Sequence, residues 1–417
     1  MLPVSVKNGQ SATFTQACFT ATSASCVTGL VVCDTFTRWS VFGQLVILVL
    51  IQTGGLGFIT ISTFFFLLIR RRVGLSGREV LSESINTTQI GGILRLTRRI
   101  IWGTVIFEGT GALLLALRLC PELGFVRGLY YSVFHSVSAF CNAGFDLFGI
   151  YDEYSSLTHF ADDWLVNIVI TALIIIGGLG FIVWNDIYEH GIRIKRYKLH
   201  SKIVLAVSAV LIVTGTLAFY IAEHKHSLAG MDVPQSALAS FFLSVSARTA
   251  GFNTVDIAAM SDAGKLINVI LMFIGGSPGS TAGGIKTTTL AVILVFSSAY
   301  MRRNRSCAVW GRRLTDDSLR RAASVFFTNL LLALGAVTIL CILNTLPLAD
   351  ILLETFSALG TVGLSAGITR QLTEASKYII IFLMYCGRVG SLSFATALVE
   401  KRAKPLVTYP AEDITIG

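Results

Sequence analysis

Charged residues are scarce in this 417-residue sequence. Asp, Glu, Lys and Arg together make up 14% of it, whereas a soluble globular chain carries about 25%. Hydrophobic residues account for 53%, and the mean hydropathy is +0.71. A soluble fold does not bury so large an apolar fraction. The composition therefore excludes a soluble enzyme and predicts a chain that crosses a membrane several times.

Proline and paired cysteines are also scarce. There are 7 Pro residues against 38 Gly, and none of the 8 Cys residues forms a CxxC motif. The cysteines are scattered, several of them inside apolar runs, which argues against a disulfide framework or a cysteine metal site. The glycine excess is typical of membrane bundles whose helices pack closely or whose backbone lines a water-filled path.

The dominant pattern in the sequence is a series of apolar runs that are long enough to cross a bilayer. There are seven, the fifth only if a glycine-rich interruption is counted within it. They cover residues 41–69, 100–119, 165–184, 203–222, 266–274 with 285–299, 322–346 and 378–399. We therefore predict an all-α polytopic membrane protein.

Basic residues are concentrated in every second connection between these runs. Residues 70–99, 193–202, 302–321 and 401–404 hold 22 of the 33 Lys and Arg residues. Positively charged connections face the cytoplasm, so we expect these segments and the C-terminus on the cytoplasmic side of the plasma (inner) membrane. Because they flank the predicted spans, we expect them to contact anionic membrane lipid and not nucleic acid.

Four semi-apolar stretches in the other connections are too short to span: residues 11–26, 128–141, 235–248 and 349–360. Taken singly, each fits an amphipathic surface helix as well as a re-entrant segment. Each, however, runs into a short glycine motif, and the motif glycines follow one another by 115, 107 and 112 residues. The motifs are Val27-Thr28-Gly29-Leu30, Asn142-Ala143-Gly144-Phe145, Thr249-Ala250-Gly251-Phe252 and Thr361-Val362-Gly363-Leu364.

A second glycine pattern follows each motif. Its first residues, Gly54, Gly177, Gly275 and Gly387, lie 25, 33, 24 and 24 residues after the motif glycine. Two landmarks with one period predict four repeats, each a span, a re-entrant pore helix, a glycine loop and a second span (M1–P–M2). We expect the repeats at 1–75, 76–195, 196–305 and 306–417, arranged around a pseudo-fourfold pore.

The first repeat is shorter than the others at its start. Only 28 residues precede Gly29, and the first 10 residues are not a span. We therefore expect the first M1 helix to be absent from this sequence, and the intact protein to have eight spans.

Four glycine loops around one axis predict a cation selectivity filter, in which backbone carbonyls replace the hydration shell of the ion. Glycine supplies the left-handed backbone angles that aim successive carbonyls the same way. The partly negative C-terminal ends of the four re-entrant helices would face the centre. A packing or turn glycine explains one such motif, but explains four in register poorly.

The third repeat interrupts its second span at residues 274–286. A segment with so many Gly and Pro residues does not form a regular helix. Non-helical backbone lies at membrane depth only where protein or a water-filled cavity supplies hydrogen-bond partners for its polar groups. We favour a flexible plug below the filter, with a kinked packing helix as the alternative. Lys286 ends the segment, where it suits snorkelling as well as lining the pore. The other candidate gate residues are Gly275, Gly276, Ser277, Gly279, Ser280, Thr281, Gly283 and Gly284.

Arg388 and Glu108 are charges inside predicted spans. Arg388 aligns in the repeat with Gly55, Gly178 and Gly276. An Arg at a bilayer centre costs about 2.5–3.5 kcal/mol on insertion scales, so it should face an aqueous cavity or a partner. We expect Arg388 below the filter, where it repels passing cations and pairs with carbonyls of the gate loop; a structural tie between helices is the alternative. Glu108 is expected either to pair with a base or to be protonated.

The sequence resembles the Ktr/Trk/HKT superfamily of potassium transporters, most closely its bacterial KtrB membrane subunits. The resemblance runs over the whole chain. It rests on the four glycine motifs, on Arg248 and Asn253 around the third, on Gly387-Arg388, and on the C-terminal residues 409–417. The departure from the family pattern is the missing first span.

The resemblance implies a potassium-selective, ion-translocating subunit for K⁺ uptake, gated by the intramembrane loop and the pore arginine. In this superfamily glycine at all four filter positions goes with K⁺ selectivity, and the residues here are Gly29, Gly144, Gly251 and Gly363. It also implies a homodimer on a cytoplasmic ring of RCK-type (KtrA-like) nucleotide-binding subunits. No covalently bound cofactor is expected. K⁺ is the transported ion, and whether Na⁺ acts as an activator stays open.

Other functions are weighed against this one. In the superfamily a serine at the first filter position goes with sodium transport, so Gly29 disfavours a sodium-conducting member. An unrelated secondary transporter with inverted repeats also uses broken helices, but the repeats here run parallel. A membrane enzyme would need catalytic Asp, His or Ser–Lys groups within the spans, which offer only Glu108, Lys286 and Arg388.

Overall fold

The computed structural model describes residues 2–7, 11–57, 60, 93–303 and 307–390, and this part of the chain is mostly helical. A small hairpin pairs β1 (Ala308–Val309) antiparallel with β2 (Arg312–Arg313), and 3-10 turns cover Pro3–Ser5, Phe148–Ile150, Thr158–Phe160, Ile194–Arg196 and Ile368–Arg370. The helices are α1 (Phe14–Ser25), α2 (Thr35–Arg38), α3 (Val41–Leu56), α4 (Ile93–Leu123), α5 (Phe125–Phe140), α6 (Trp164–Leu179), α7 (Phe181–His190), α8 (Leu199–Glu223), α9 (Val233–Ser246), α10 (Asp262–Phe273), α11 (Thr287–Met301), α12 (Asp316–Leu343), α13 (Leu348–Gly360) and α14 (Glu374–Val389).

Three helices of the described chain, α4, α8 and α12, are individually long and apolar enough to cross a membrane, and the bent pair of α6 and α7 makes a fourth if it is counted as one span. In each of the three, only 28% of the most apolar window is buried within the protein. The remaining apolar surface is of the kind that hydrocarbon covers. The helices predicted over 100–119, 203–222 and 322–346 are confirmed.

One predicted span is not continuous. The run 165–184 forms two helices, α6 and α7, which meet at 94°. Gly180 lies between them with a φ of +93°, which ends the first helix in a conformation that glycine adopts without strain. Gly57 and Gly390, with φ of +82° and +92°, end α3 and α14 in the same way. The later parts of the runs 41–69 and 378–399, and most of the basic segment 70–99, lie outside the described residues.

Four short helices, α1, α5, α9 and α13, form over the four semi-apolar stretches. Local sequence starts them: Thr13 and Gln16 form a capping box at α1, Gln235 accepts a hydrogen bond from the Asp232 amide at α9, and Pro347 precedes α13. Helix α1 packs between α3 and α14, α5 between α4 and α6, and α9 between α6 and α8; α13 packs on α10, α12 and α14. Each of the four short helices therefore packs against at least two other helices.

Candidate functional site

The glycines of the four motifs meet at one place. A Cβ added to Gly29 would lie 3.1 Å from the Cα of Gly144, and one added to Gly144 would lie 3.0 Å from the Cα of Gly251. From Gly251 the corresponding distance to the Cα of Gly363 is 3.1 Å, and from Gly363 back to the Cα of Gly29 it is again 3.1 Å. Each glycine thus faces the next around a closed circuit. We call these four residues the glycine ring.

The backbone of the four loops has one shared conformation. All four ring glycines have positive φ, between +66° and +99°. So do the residues two positions earlier, Val27, Asn142, Thr249 and Thr361, with φ of 57°, 58°, 75° and 51°. Left-handed angles are uncommon for residues with a side chain, and β-branched residues rarely adopt them. Within each loop, the two residues of positive φ are separated by one of negative φ. The same uncommon angles at the same positions in four loops indicate that a specific backbone conformation is needed there.

Serines of the short helices hold the loops in this shape. Ser23 Oγ accepts a hydrogen bond from the Gly29 amide at 3.1 Å, and Ser357 Oγ accepts one from the Gly363 amide at 3.0 Å. Ser138 donates instead to the Phe145 carbonyl at 2.7 Å, and Ser246 donates to the Phe252 carbonyl. The sequence shows these serines at nearly constant spacing before each glycine. That spacing is the feature of the sequence that indicates a supporting role for these serines.

The ring is suited to a partly dehydrated cation. Helices α1, α5, α9 and α13 end within a few residues of the ring, so the negative ends of their dipoles lie next to it. Backbone carbonyls from four loops are the ligands with which cation filters replace water.

A cavity of about 330 Å³ opens on one side of the glycine ring. Each loop adds a charged residue to its lining after the glycine: Asp34, Asp146, Asp256 and, in the fourth loop, Arg370. We call this cavity the outer mouth. The sequence did not single out these four residues as site residues, because they lie 5, 2, 5 and 7 residues after their glycines and so share no single spacing.

Asp146 titrates unusually in the outer mouth. Burial raises the pKa of its carboxyl to about 7, and the nearby negative charge of Asp34 adds to the shift. Its Oδ1 atom accepts a hydrogen bond from the Phe148 amide at 3.0 Å, which partly opposes the shift. The negative charge of the mouth therefore changes near neutral pH.

Residues 274–286 form a closed loop, which we call the inner loop. Its two ends pair as a parallel bridge between Ile274 and Ile285. Within it, Ser280 Oγ donates to the Ser277 carbonyl at 2.7 Å, and Thr287 Oγ1, at the start of α11, donates to Ser277 Oγ at 3.2 Å. The interruption is therefore an ordered turn and not a kinked helix.

The inner loop lies against the side of the glycine ring opposite the outer mouth. Thr281 Oγ1 donates at 3.2 Å to the carbonyl of Phe140, which lies two residues before the second motif. A Cβ added to Gly283 would lie 3.0 Å from Thr361 Cγ2 of the fourth motif. The loop also rests on the bend between α6 and α7, where the Phe181 amide donates to the Gly279 carbonyl at 2.8 Å. The bend between α6 and α7 therefore supports the inner loop.

Two positively charged side chains donate hydrogen bonds to backbone carbonyls of the inner loop and its neighbours. Arg388 donates to the carbonyls of Thr281 and Gly54, and to that of Gly55 at 3.1 Å. Lys286 Nζ donates to the Ala282 carbonyl at 2.7 Å and to the Gly283 carbonyl at 3.3 Å. Within the described residues neither cation has a carboxylate at ion-pair distance. Arg388 therefore ties the inner loop to the end of α3, and Lys286 folds back onto the loop itself.

Glu108 lies behind the second motif. Its Oε2 accepts a hydrogen bond from Gln52 Nε2 at 3.2 Å, and Cys141 Sγ lies 3.9 Å from Oε1. Among the described residues no base pairs with it. The partner that the sequence left undefined is therefore an amide of α3.

Comparison with known proteins places the chain. The family model TrkH, described as "Cation transport protein", matches residues 2–404. The chain is 41% identical to the "Potassium/sodium uptake protein NtpJ" of Enterococcus hirae and 38% identical to the "Ktr system potassium uptake protein B" of Bacillus subtilis. Both alignments cover 100% of this chain and 92% of the relative.

A solved structure has the same fold. The crystal structure of the potassium transporter TrkH from Vibrio parahaemolyticus superimposes with a TM-score of 0.72 at 17% identity, and the match covers 93% of this chain and 79% of that one. The relatives are transporters and not enzymes, and together with the apolar helices they identify an integral membrane protein. This chain belongs to the TrkH family of cation transport proteins.

Proposed function

We propose that this chain is the potassium-selective, ion-translocating subunit of a K⁺ uptake system. The observation that carries the proposal is the glycine ring, with its shared left-handed backbone and four converging short helices. K⁺ would cross the ring by exchanging water for backbone carbonyls. Two relatives whose names describe them as potassium uptake proteins support the proposal that K⁺ moves into the cell.

The preference for K⁺ over Na⁺ would follow from the exact fit of the ring. A Cβ at Gly29 would lie 2.5 Å from the Ala143 carbonyl oxygen, so any larger residue would move a carbonyl of the neighbouring loop. A ring without side chains keeps the wider carbonyl spacing that suits the larger ion. The name of the Enterococcus relative includes sodium, so conduction of Na⁺ is the second candidate function.

The four-repeat layout is part of the proposal. We propose repeats at 1–75, 76–195, 196–305 and 306–417, each supplying one quarter of the pore. Four short helices that lead into four similar loops support this division. The contact of α1 with both α3 and α14 supports a circular arrangement, since it joins the first repeat to the fourth.

We further propose that the inner loop is the gate, and that hydrogen bonds from Arg388 and Lys286 hold it in the closed position. The loop lies directly below the ring, and Arg388 joins it to α3 through three carbonyls. A positive charge at this level would also slow cations that leave the ring. Opening would then require Arg388 to release the Thr281 carbonyl so that the loop moves off the pore axis.

The proposal includes a regulated assembly in the plasma membrane. The basic segments and the C-terminus would face the cytoplasm, where a ring of RCK-type nucleotide-binding subunits would dock on a homodimer of this chain. Relatives named as components of a "Ktr system" support a separate regulatory partner. The transported ion is K⁺, and activation by Na⁺ would require a contact that K⁺ does not make.

Flux into proteoliposomes tests the proposed function. Purified protein should take up Rb⁺ tracer in competition with K⁺ and much less with Na⁺, and the gene should rescue growth of a potassium-uptake-deficient bacterium at low K⁺. Gly335→Ala is the control, since nothing lies within 4 Å of the added methyl group. Equal competition by Na⁺ would favour the second candidate function, and absence of any cation flux from a folded protein would reject both.

A further inference from the structure

The second repeat has extra residues outside its filter. The distance from Gly144 to the following Gly177 is 33 residues, against 24 or 25 in the other repeats. The extra length forms a strap, residues 148–160, between the turns Phe148–Ile150 and Thr158–Phe160. The strap lines the outer mouth with Tyr154 and Ser156.

The strap reaches the loops of the three other repeats. The Tyr154 amide donates to Asp34 Oδ2 of the first repeat at 3.2 Å. Ser156 Oγ accepts from the Asn253 amide of the third repeat at 3.2 Å, and the Leu157 amide donates to the Asn253 carbonyl at 3.0 Å. The guanidinium of Arg370, in the fourth repeat, lies 4.0 Å from the centre of the Tyr154 ring.

The strap is held in an unusual backbone conformation by these contacts. Tyr154 and Ser156 have φ of +63° and +51°, which residues with a side chain rarely adopt. Such angles persist where the surroundings determine them. The position of the Tyr154 ring over the mouth is therefore set by its partners in two other repeats.

Arg370 is the exception among the charges of the mouth. The corresponding lining residues of the other loops are Asp34, Asp146 and Asp256. Within the described chain no carboxylate lies at ion-pair distance from Arg370, and its guanidinium rests between the Tyr154 ring and the turn at Gly367. A stacked guanidinium keeps its full charge, because a cation–π contact does not neutralise it. A fixed positive charge thus stands beside the path of a cation.

We propose that Arg370 is a specificity-determining residue of the outer mouth that disfavours divalent cations relative to K⁺, and that Tyr154 is its positioning residue. The inference rests on the proposed function. The three aspartates attract every cation, whereas the arginine opposes them in proportion to ionic charge. The electrostatic energy of an ion is the product of its charge and the local potential. A potential that lowers the local concentration of K⁺ by a given factor therefore lowers that of Ba²⁺ or Mg²⁺ by the square of this factor.

The test measures inhibition of Rb⁺ uptake by external Ba²⁺ in proteoliposomes, together with the KM for K⁺, at low ionic strength. For Arg370→Gln we expect the KM for K⁺ to fall about threefold and the inhibition constant of Ba²⁺ to fall about ninefold. Added salt should reduce both changes, since it screens an exposed charge. Arg370→Lys keeps the charge and should retain most of the wild-type discrimination.

Matched variants separate the charge in the mouth from general effects. Tyr154→Phe keeps the ring and should behave as the wild type, whereas Tyr154→Leu should shift the Ba²⁺ constant in the direction of Arg370→Gln. Lys225→Gln removes an exposed charge that does not line the mouth, and should change neither constant.

The outcomes distinguish this inference from the function on which it rests. If the wild type carries K⁺ selectively but Arg370→Gln leaves the Ba²⁺ constant unchanged, or shifts both constants by the same factor, the inference is overturned and the proposed function stands. If the wild type carries no K⁺, the proposed function fails first. The squared relation supports an electrostatic role, because loss of structure alone would not scale with the charge of the ion.

Discussion

The glycine ring and the inner loop are both rich in glycine, but they are held by different kinds of contact. In the ring, glycines face one another and the support comes from nearby serines of the short helices, such as Ser23 and Ser357. In the inner loop, long cationic side chains, Arg388 and Lys286, donate to backbone carbonyls. The ring is thus supported by hydroxyl groups of the short helices, whereas the loop depends, besides backbone hydrogen bonds such as that from the Phe181 amide to the Gly279 carbonyl, on charged side chains that can release their acceptors.

This difference fits the separate tasks that we propose for the two regions. A filter needs carbonyl positions that do not change, and short-range backbone and hydroxyl contacts supply them. A gate needs two states of similar free energy, and a few charge-assisted hydrogen bonds, worth about 1.5–3 kcal/mol each, are of the right size to separate them. Changes in the ring should therefore alter selectivity, and changes in the loop should alter flux.

The largest effect is expected in the ring. Gly29→Ser places a side chain at a φ of +93° and against the Ala143 carbonyl. We expect the displaced carbonyls to lower the preference of the ring for K⁺ over Na⁺ by about 2 kcal/mol, which corresponds to a roughly thirtyfold fall in the ratio of K⁺ to Na⁺ permeability. Bi-ionic flux measures the ratio, with Gly335→Ala as the control for an added methyl group. An unchanged ratio would show that the first motif does not select the ion.

The inner loop should respond differently. Arg388→Gln removes the donors to Thr281, Gly54 and Gly55, so the loop should leave the pore more often. We expect the rate of K⁺ flux to rise about tenfold with little change in selectivity. Arg388→Lys keeps the charge with fewer donors and should lie in between. A selectivity change as large as that of Gly29→Ser would erase the distinction between the two regions.

Replacement of Ser23, which supports the ring, should change ion selectivity less than Gly29→Ser does. Ser23→Ala leaves the buried Gly29 amide without its partner at 3.1 Å. The loss of one such bond costs about 1 kcal/mol and should lower K⁺ selectivity a few-fold, without raising flux. The thermal unfolding midpoint of the purified protein should fall as well. Higher flux from this variant would contradict a purely supporting role.

The smallest effect is expected from the pH of the outer solution. The pKa of Asp146 is raised to about 7, chiefly by burial, so this carboxyl is charged above that pH and neutral below it. Lowering external pH from about 8 to about 6 therefore removes a negative charge from the mouth, and K⁺ influx at low K⁺ should fall about twofold. Asp146→Asn keeps the oxygen that accepts from the Phe148 amide, and should abolish the pH dependence. A steeper response in this variant would exclude Asp146 as its origin.

The helices of the fold could largely be predicted from the sequence, because long apolar runs and the period of the glycine motifs are properties of the chain itself. The bend at Gly180 could not, since the run 165–184 is apolar on both sides of it and hydropathy does not report a φ of +93°. The prediction of a single span over 165–184 therefore missed the 94° bend between its two helices.

The site divides in the same way. The repeat predicted which four glycines belong together, and the structure brings them to one ring; their role in selectivity stays a prediction. Alignment of the repeats also suggested that Arg388 would meet carbonyls of the inner loop, and the structure shows that contact. The pair of Tyr154 and Arg370 was out of reach, because 216 positions separate two residues that share no motif.

The proposed function requires that the glycine ring binds the transported cation through its backbone. Crystals grown with Tl⁺ in place of K⁺ test it directly, since the anomalous signal of Tl⁺ marks its position. We expect a peak on the axis enclosed by Gly29, Gly144, Gly251 and Gly363. Peaks elsewhere in the protein with none inside the ring would contradict it.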